Sequence, residues 1–190
     1  MFELAYLDQA ASYDQIEEIR VEQTGCFGYC PSYIVSIEPN DAYRFCGLHF
    51  TGSEGPHLGV LPEHSFKALV RTLQDNEFLA RNSVDYGGDN CTVYATDHPS
   101  AYISVSFSNE NSKQLHWYSG CRIQDHESPQ TRPRPTRLSE DAFALSAIVD
   151  HARELLSAEN LLEDPDNFSE VPRERNWGHG FPYDNCGFDE

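Results

Sequence analysis

Lysine and arginine are scarce in this sequence: 13 of 190 residues, against 31 aspartates and glutamates, for a formal net charge of −18. Phosphate backbones are bound by clustered cations that release condensed counterions. Outside the short stretch Arg132-Pro133-Arg134-Pro135 there is no such cluster, so nucleic acid is not an expected partner. Long apolar runs are also missing. Nothing approaches the ~18 consecutive apolar residues of a membrane span, and Met1-Phe2-Glu3-Leu4-Ala5-Tyr6-Leu7-Asp8 carries neither a basic leader nor a long apolar stretch. No membrane association is expected, and the expected location is cytoplasmic.

The usual catalytic signatures are absent as well. There is no Gly-x-Ser-x-Gly elbow, no phosphate-binding glycine loop, no His-Glu-x-x-His and no paired-carboxylate pattern. Tyr86-Gly87-Gly88-Asp89 reads as a turn, and the eight histidines are scattered. His64 and His151 fall on expected helices, His49 and His116 on expected strands. No repeat of fixed length is evident. Recognisable enzyme classes are thereby removed, and the expectation leans away from catalysis.

What the chain does have is apolar and aromatic material: 39% hydrophobic residues, with 11 Phe and 10 Tyr. A chain of this length and composition suits one domain with a packed core and appendages. Residues 1–15 are polar and irregular. Ile19 and Val21 mark a strand over 17–23; Tyr33, Val35 and Ile37 mark a second over 33–37, followed by the turn Pro39-Asn40-Asp41 and a third strand over 43–48. Phe66, Leu69, Val70 and Leu73 have the spacing of one helical face and predict a helix over 62–75. Strands are expected over 91–96, 102–107 and 114–118. Ser139 with Glu140 and Asp141 has the character of a helix start, and Leu145, Ile148, Val149, Ala152 and Leu156 continue it to 156. The expected fold is α+β: an antiparallel sheet of about six strands, two helices packed on one face, and an irregular C-terminal tail. The domain would span 16–156, with an Arg/Pro-rich loop over 119–137. The extension 157–190 holds nine acidic residues against two arginines, a net of −7.

Between the first two strands lies Gly25-Cys26-Phe27-Gly28-Tyr29-Cys30-Pro31-Ser32-Tyr33. Two glycines and a proline shape this segment as a loop, because glycine tolerates positive φ and proline lacks a ladder donor. With its following hairpin, the loop resembles the opening motif of a bacterial family of domains of unknown function, Cys-Phe-Gly-x-Cys-Pro-x-Tyr. The resemblance continues through the first helix, the later strands and the last helix, about 16–156. It implies a fold and no activity. The long Arg/Pro loop and the acidic tail depart from it.

The candidate site is this motif loop, with Gly25, Cys26, Phe27, Gly28, Tyr29, Cys30, Pro31 and Tyr33 as candidate binding residues. Cys26 and Cys30 are either a structural pair, packed or bonded, or the seat of thiol chemistry. Cys91 and Cys121 would complete a zinc site as an alternative, although no second closely spaced pair accompanies the first. No cofactor is otherwise expected. Without an export signal, most of the six cysteines are expected as reduced thiols. The Arg-Pro stretch is either a polyproline-type ligand or a solvated loop. The expected function is a non-catalytic protein-binding or inhibitory, immunity-like module whose acidic surface meets a basic protein partner. A thiol-based redox or hydrolytic enzyme using Cys26 and Cys30, or a zinc-stabilised structural domain, are the alternatives.

Overall fold

A side-chain period of two puts Ile19 and Val21 on one side of the first strand and Glu18, Arg20 and Glu22 on the other. The same alternation in its neighbours builds the main sheet of the computed structural model, which describes residues 12–124, 136–162 and 186–188. Strands β1 (Ile16–Gln23), β2 (Ser32–Ile37), β3 (Ala42–His49), β4 (Gly55–Val60), β6 (Ser100–Phe107) and β7 (Ser112–Tyr118) pair in the order β4-β3-β2-β1-β6-β7, every pair antiparallel. A second small sheet joins β5 (Val93–Tyr94), β8 (Cys121–Gln124) and β9 (Thr136–Arg137).

Helices α1 (Ser65–Asp75) and α2 (Glu140–Ala158) lie on the same side of the main sheet. Phe66, Leu69 and Leu73 of α1 and Leu145, Ile148, Val149 and Leu156 of α2 share one buried cluster with Ile19, Val21, Tyr33, Val35, Phe45, Ile103 and Val105. The fold class is therefore the expected α+β arrangement. Its membership differs in one strand: β4 completes the six, while the segment expected as a strand over 91–96 keeps only Val93–Tyr94 and joins the small sheet. Helix α1 starts at Ser65 and not at 62, because His64 turns into the left-handed region (φ 75°). Its first turn is capped from outside. The Asp41 carboxylate, in the β2–β3 turn, accepts the His64 and Phe66 N–H groups at 2.8 Å each, which satisfies donors that every helix start leaves open.

The opposite face of the sheet is divided. Over β1, β6 and β7 it is polar, with Glu18, Arg20, Ser104, Ser106 and Gln114. Over β2 and β3 it carries a small second cluster, Ile34, Cys46 and Leu48, against which Cys186 and Phe188 pack. The Phe188 ring lies beneath the Arg20 and Arg44 guanidinium groups, 4.9 and 5.3 Å from its centre. Most of the Arg/Pro loop and of the acidic tail, and the first eleven residues, lie outside the described residues. No described helix is long and apolar enough to cross a membrane.

Candidate functional site

The motif loop leaves the sheet where β1 ends and returns at the start of β2. Thr24 anchors its beginning: its N–H donates to the Ser100 carbonyl, and its Oγ1 accepts the Ser100 N–H, both at 2.9 Å. Buried Gln23 reaches across the base and donates to the Pro31 carbonyl at 3.0 Å. Between these anchors Cys26 and Cys30 are bonded, their Cα atoms 5.5 Å apart, closing a five-residue ring.

That ring divides the motif. Ser32 and Tyr33 are both buried, Tyr33 on the core side and stacked on Phe45 at 5.8 Å. Phe27 and Tyr29 point outward, 88% and 64% exposed. Phe27 donates its N–H to the Asp97 carbonyl at 3.3 Å, and Gly28 to Cys26 at 2.9 Å, so the ring is held by the β5–β6 connection. Phe50, the residue after β3, meets the Tyr29 ring edge-on at 5.4 Å. It does so with φ 53°, a conformation that costs a bulky residue about 1–3 kcal/mol and is kept only where the surroundings enforce it. Gly47 leaves room for the loop that follows: a Cβ there would sit 1.9 Å from the Ser53 carbonyl, so the 50–54 loop can fold tightly under the sheet end.

Strand β5 and the segment before it add two further aromatics. Tyr86 donates its hydroxyl to that of Tyr94 at 2.9 Å, and their rings pack edge-on at 4.1 Å. That hydrogen bond, with the neighbouring phenol's charge, holds the Tyr86 phenol above its ordinary value. Tyr118 donates to the Ala95 carbonyl at 2.9 Å, and Gly120 lets the chain pass, since a Cβ there would lie 2.4 Å from the same carbonyl. One end of the molecule thus presents Phe27 and Tyr29, with half-buried Phe50 against Tyr29, and Tyr94 in β5 and Asp97 in the β5–β6 connection beside them.

The expectation of reduced thiols is corrected here. All six cysteines are paired: Cys26–Cys30, Cys46–Cys186 and Cys91–Cys121, with Cα separations of 5.5, 5.8 and 5.0 Å, all within disulfide range. The fold brings distant partners together, as where β5 and β8 pair Tyr94 with Cys121 and carry Cys91 alongside. In this form none of Cys26, Cys30, Cys91 and Cys121 offers the thiolate that zinc binding or nucleophilic attack requires, and Cys91 and Cys121 are buried in the core, bonded to each other. Among the described residues no three His, Cys, Asp or Glu side chains are grouped to hold a metal ion.

A family model for a domain of unknown function, DUF6438, matches residues 17–130. The chain belongs to that family. The DUF6438 match takes in the motif loop, the whole main sheet, α1 and β8, and stops before α2, so the expected continuation through the last helix lies beyond the matched part. No curated protein matches the chain.

Phe50 and Tyr94 were missed as site residues in the sequence, and Tyr86 reads there as part of a turn. A lone phenylalanine after a strand looks like core, and the left-handed backbone that sets it against Tyr29 leaves no residue-level signal. Two of the described histidines take structural places. His151 Nδ1 bonds Thr72 Oγ1 at 2.7 Å between the helices, and His116 pairs with Asp85 while stacking on Tyr102 at 4.6 Å.

Proposed function

We propose that this DUF6438 chain is a non-catalytic protein-binding module, of the inhibitory or immunity-like kind, that engages a basic protein through its aromatic loop end. The observation that carries this reading is the exposure of Phe27 (88%) and Tyr29 (64%) on a disulfide-closed ring. Large aromatic side chains dominate binding energy where they fill a partner's pockets, and a pre-ordered ring loses little entropy on docking. The net charge of −18 supports a basic partner, which long-range fields would steer toward the acidic surface. The three disulfides support an oxidising compartment, in place of the cytoplasm expected from the sequence.

The test is capture from extracts of the native host with the wild-type chain and with Phe27→Ser/Tyr29→Ser. A basic protein should be retained by the first, elute with rising salt, and bind the double variant more weakly by about 2 kcal/mol, roughly 30-fold. A captured set unchanged by the substitutions, or indifferent to salt, would remove the proposal. The competing reading, thiol chemistry at Cys26 and Cys30, predicts instead that the reduced protein alkylates at a pH well below an ordinary thiol pKa of ~8.5.

A further inference from the structure

The two edges of the main sheet are treated differently. Along β7, Val84 donates its N–H to the His116 carbonyl at 2.8 Å and accepts the Tyr118 N–H at 3.0 Å, while the His116 N–H reaches Ser83 Oγ at 3.0 Å. At the other end of β7, Lys113 Nζ donates to the Leu79 and Arg81 carbonyls at 2.6 and 3.1 Å. This edge is closed by the chain itself. The edge at β4 has no such cover among the described residues and neither lysine nor bulge, so that Pro56 is its one residue of the kinds that blunt an open edge.

The ladder's phase decides what β4 presents. Leu61 donates to the Asp41 carbonyl at 2.8 Å, and the register runs from Ala42 opposite Val60 to Gly47 opposite Gly55. Hydrogen-bonded pairs alternate in an antiparallel ladder, so Gly55, His57 and Gly59 turn their main-chain groups toward β3. Pro56, Leu58 and Val60 turn theirs outward. Pro56 has no N–H to lose and sits where an edge strand tolerates proline. The same three residues carry their side chains on the outer face, where Leu58 is 79% and Val60 67% exposed. Free main-chain donors and acceptors therefore coincide with an apolar strip, and just after it stands Glu63, its side chain exposed and 3.5 Å from the His64 ring.

We propose that the β4 edge is a second binding site, which takes an extended segment of a partner protein as an added β-strand, its alternate residues apolar and its ends flanked by lysine or arginine. Main-chain pairing to Leu58 and Val60 supplies the attraction, the apolar strip selects alternate side chains, and the exposed Glu63 with the net charge of −18 favours basic ends. A second copy of this chain is the disfavoured occupant, because two chains of −18 repel and a symmetric β4–β4 pairing would meet the missing Pro56 donor twice.

The site does not depend on the aromatic loop end, and its test separates the two. The probe is the synthetic peptide Lys-Lys-Val-Thr-Val-Thr-Val-Thr-Lys-Lys, compared with the same peptide methylated on its valine nitrogens, which keeps the charge and removes strand donors. With the full disulfide-bonded chain, the peptide should slow hydrogen exchange at the Leu58 and Val60 amides by about tenfold or more, and the methylated peptide should not. Leu58→Pro should abolish that protection by deleting an outward donor that the ladder does not use. Leu58→Lys, which leaves the backbone intact, should weaken it and covers the case in which the proline variant misfolds. Phe27→Ser/Tyr29→Ser should leave it unchanged. No protection at Leu58 and Val60, or equal binding of both peptides, would overturn the proposal. Concentration-dependent protection of those amides without peptide would overturn the choice of occupant in favour of a second copy.

Discussion

Tyr33 closes the motif and is fully buried, and its hydroxyl has no hydrogen-bond partner. An unpaired buried hydroxyl costs about 1–3 kcal/mol, so Tyr33→Phe should stabilise the fold by about 1 kcal/mol in urea unfolding at neutral pH. Burial also raises the Tyr33 phenol far above its ordinary value, with Arg153 pulling it down and Asp150 pushing it up more weakly. Below pH ~10 both states keep the proton, and the folded state has nothing to lose. Above that pH the unfolded chain releases it while the folded chain holds it, so stability falls as pH rises, by up to ~1.4 kcal/mol per unit. Burial shifts Tyr43 in the same direction. Burial lowers Lys113, so stability gained there rises with pH as the folded ammonium titrates before the unfolded one and offsets part of the loss. Stability of Tyr33→Phe measured from pH 9 to 11 should therefore fall less steeply than that of the wild type. Equal slopes would show that Tyr33 does not carry the alkaline limb. Asp41 gives the second prediction at this scale. Its carboxylate receives two N–H groups of the α1 start, and its own φ is 64°, which aspartate and asparagine tolerate better than alanine. Asp41→Ala should cost about 2 kcal/mol, and Asp41→Asn clearly less, read as a Tm difference.

At the scale of elements, legibility followed local signals. Helix α2 was readable because Ser139 is a good cap, and in the fold its Oγ accepts the Ala142 N–H at 3.0 Å with Glu140 and Asp141 in the first turn. Ser139→Ala should cost about 1 kcal/mol, a fall in Tm of roughly 2–4 °C for a chain of this size; an unchanged Tm would mean that the cap contributes nothing. Strands β1 and β6 were readable because apolar and polar residues alternate along them, and β2, β3 and β7 because aromatic and other apolar residues gather between turn signals. Strand β4 was not. Gly55, Pro56 and Gly59 are poor strand formers, and nothing local says that Pro56 falls on the outward side of an edge ladder. The start of α1 was misplaced for a related reason: its cap, Asp41, lies 23 residues before His64 and belongs to a turn. The ring that presents Phe27 and Tyr29 was legible as a shaped loop, whereas its neighbours Phe50 and Tyr94 depend on tertiary approach.

The disulfide pattern belongs to the whole molecule, since six cysteines allow 15 pairings and only the assembled fold chooses among them. Cys46–Cys186 spans 140 residues and ties the chain's end to the outer face of the sheet; Cys91–Cys121 spans 30 and ties β8 to the core; Cys26–Cys30 spans 4. By the chain-entropy relation these closures restrict the unfolded state by about 5, 3–4 and 2 kcal/mol in turn. Accessibility follows another order: Cys26, Cys30 and Cys186 are half-buried at the surface, while Cys46, Cys91 and Cys121 are buried. A dithiol reductant attacks a sulfur it can reach. Under mild reduction with alkylation, followed by mass spectrometry, the first two labels should therefore fall on Cys26 and Cys30 with little loss of Tm. Cys46 and Cys186, whose bond has one half-buried partner, should follow, and Cys91 and Cys121 should appear only as the fold opens, with a much larger loss. Early labelling of Cys91 and Cys121 would contradict the burial of that bond. Six free thiols in the protein as isolated, with its Tm unaffected by oxidant, would show that packing alone holds the loop end. The ring would then be flexible, the entropic argument for Phe27 and Tyr29 as a pre-ordered binding element would fail, and the case for an oxidising compartment would fail with it.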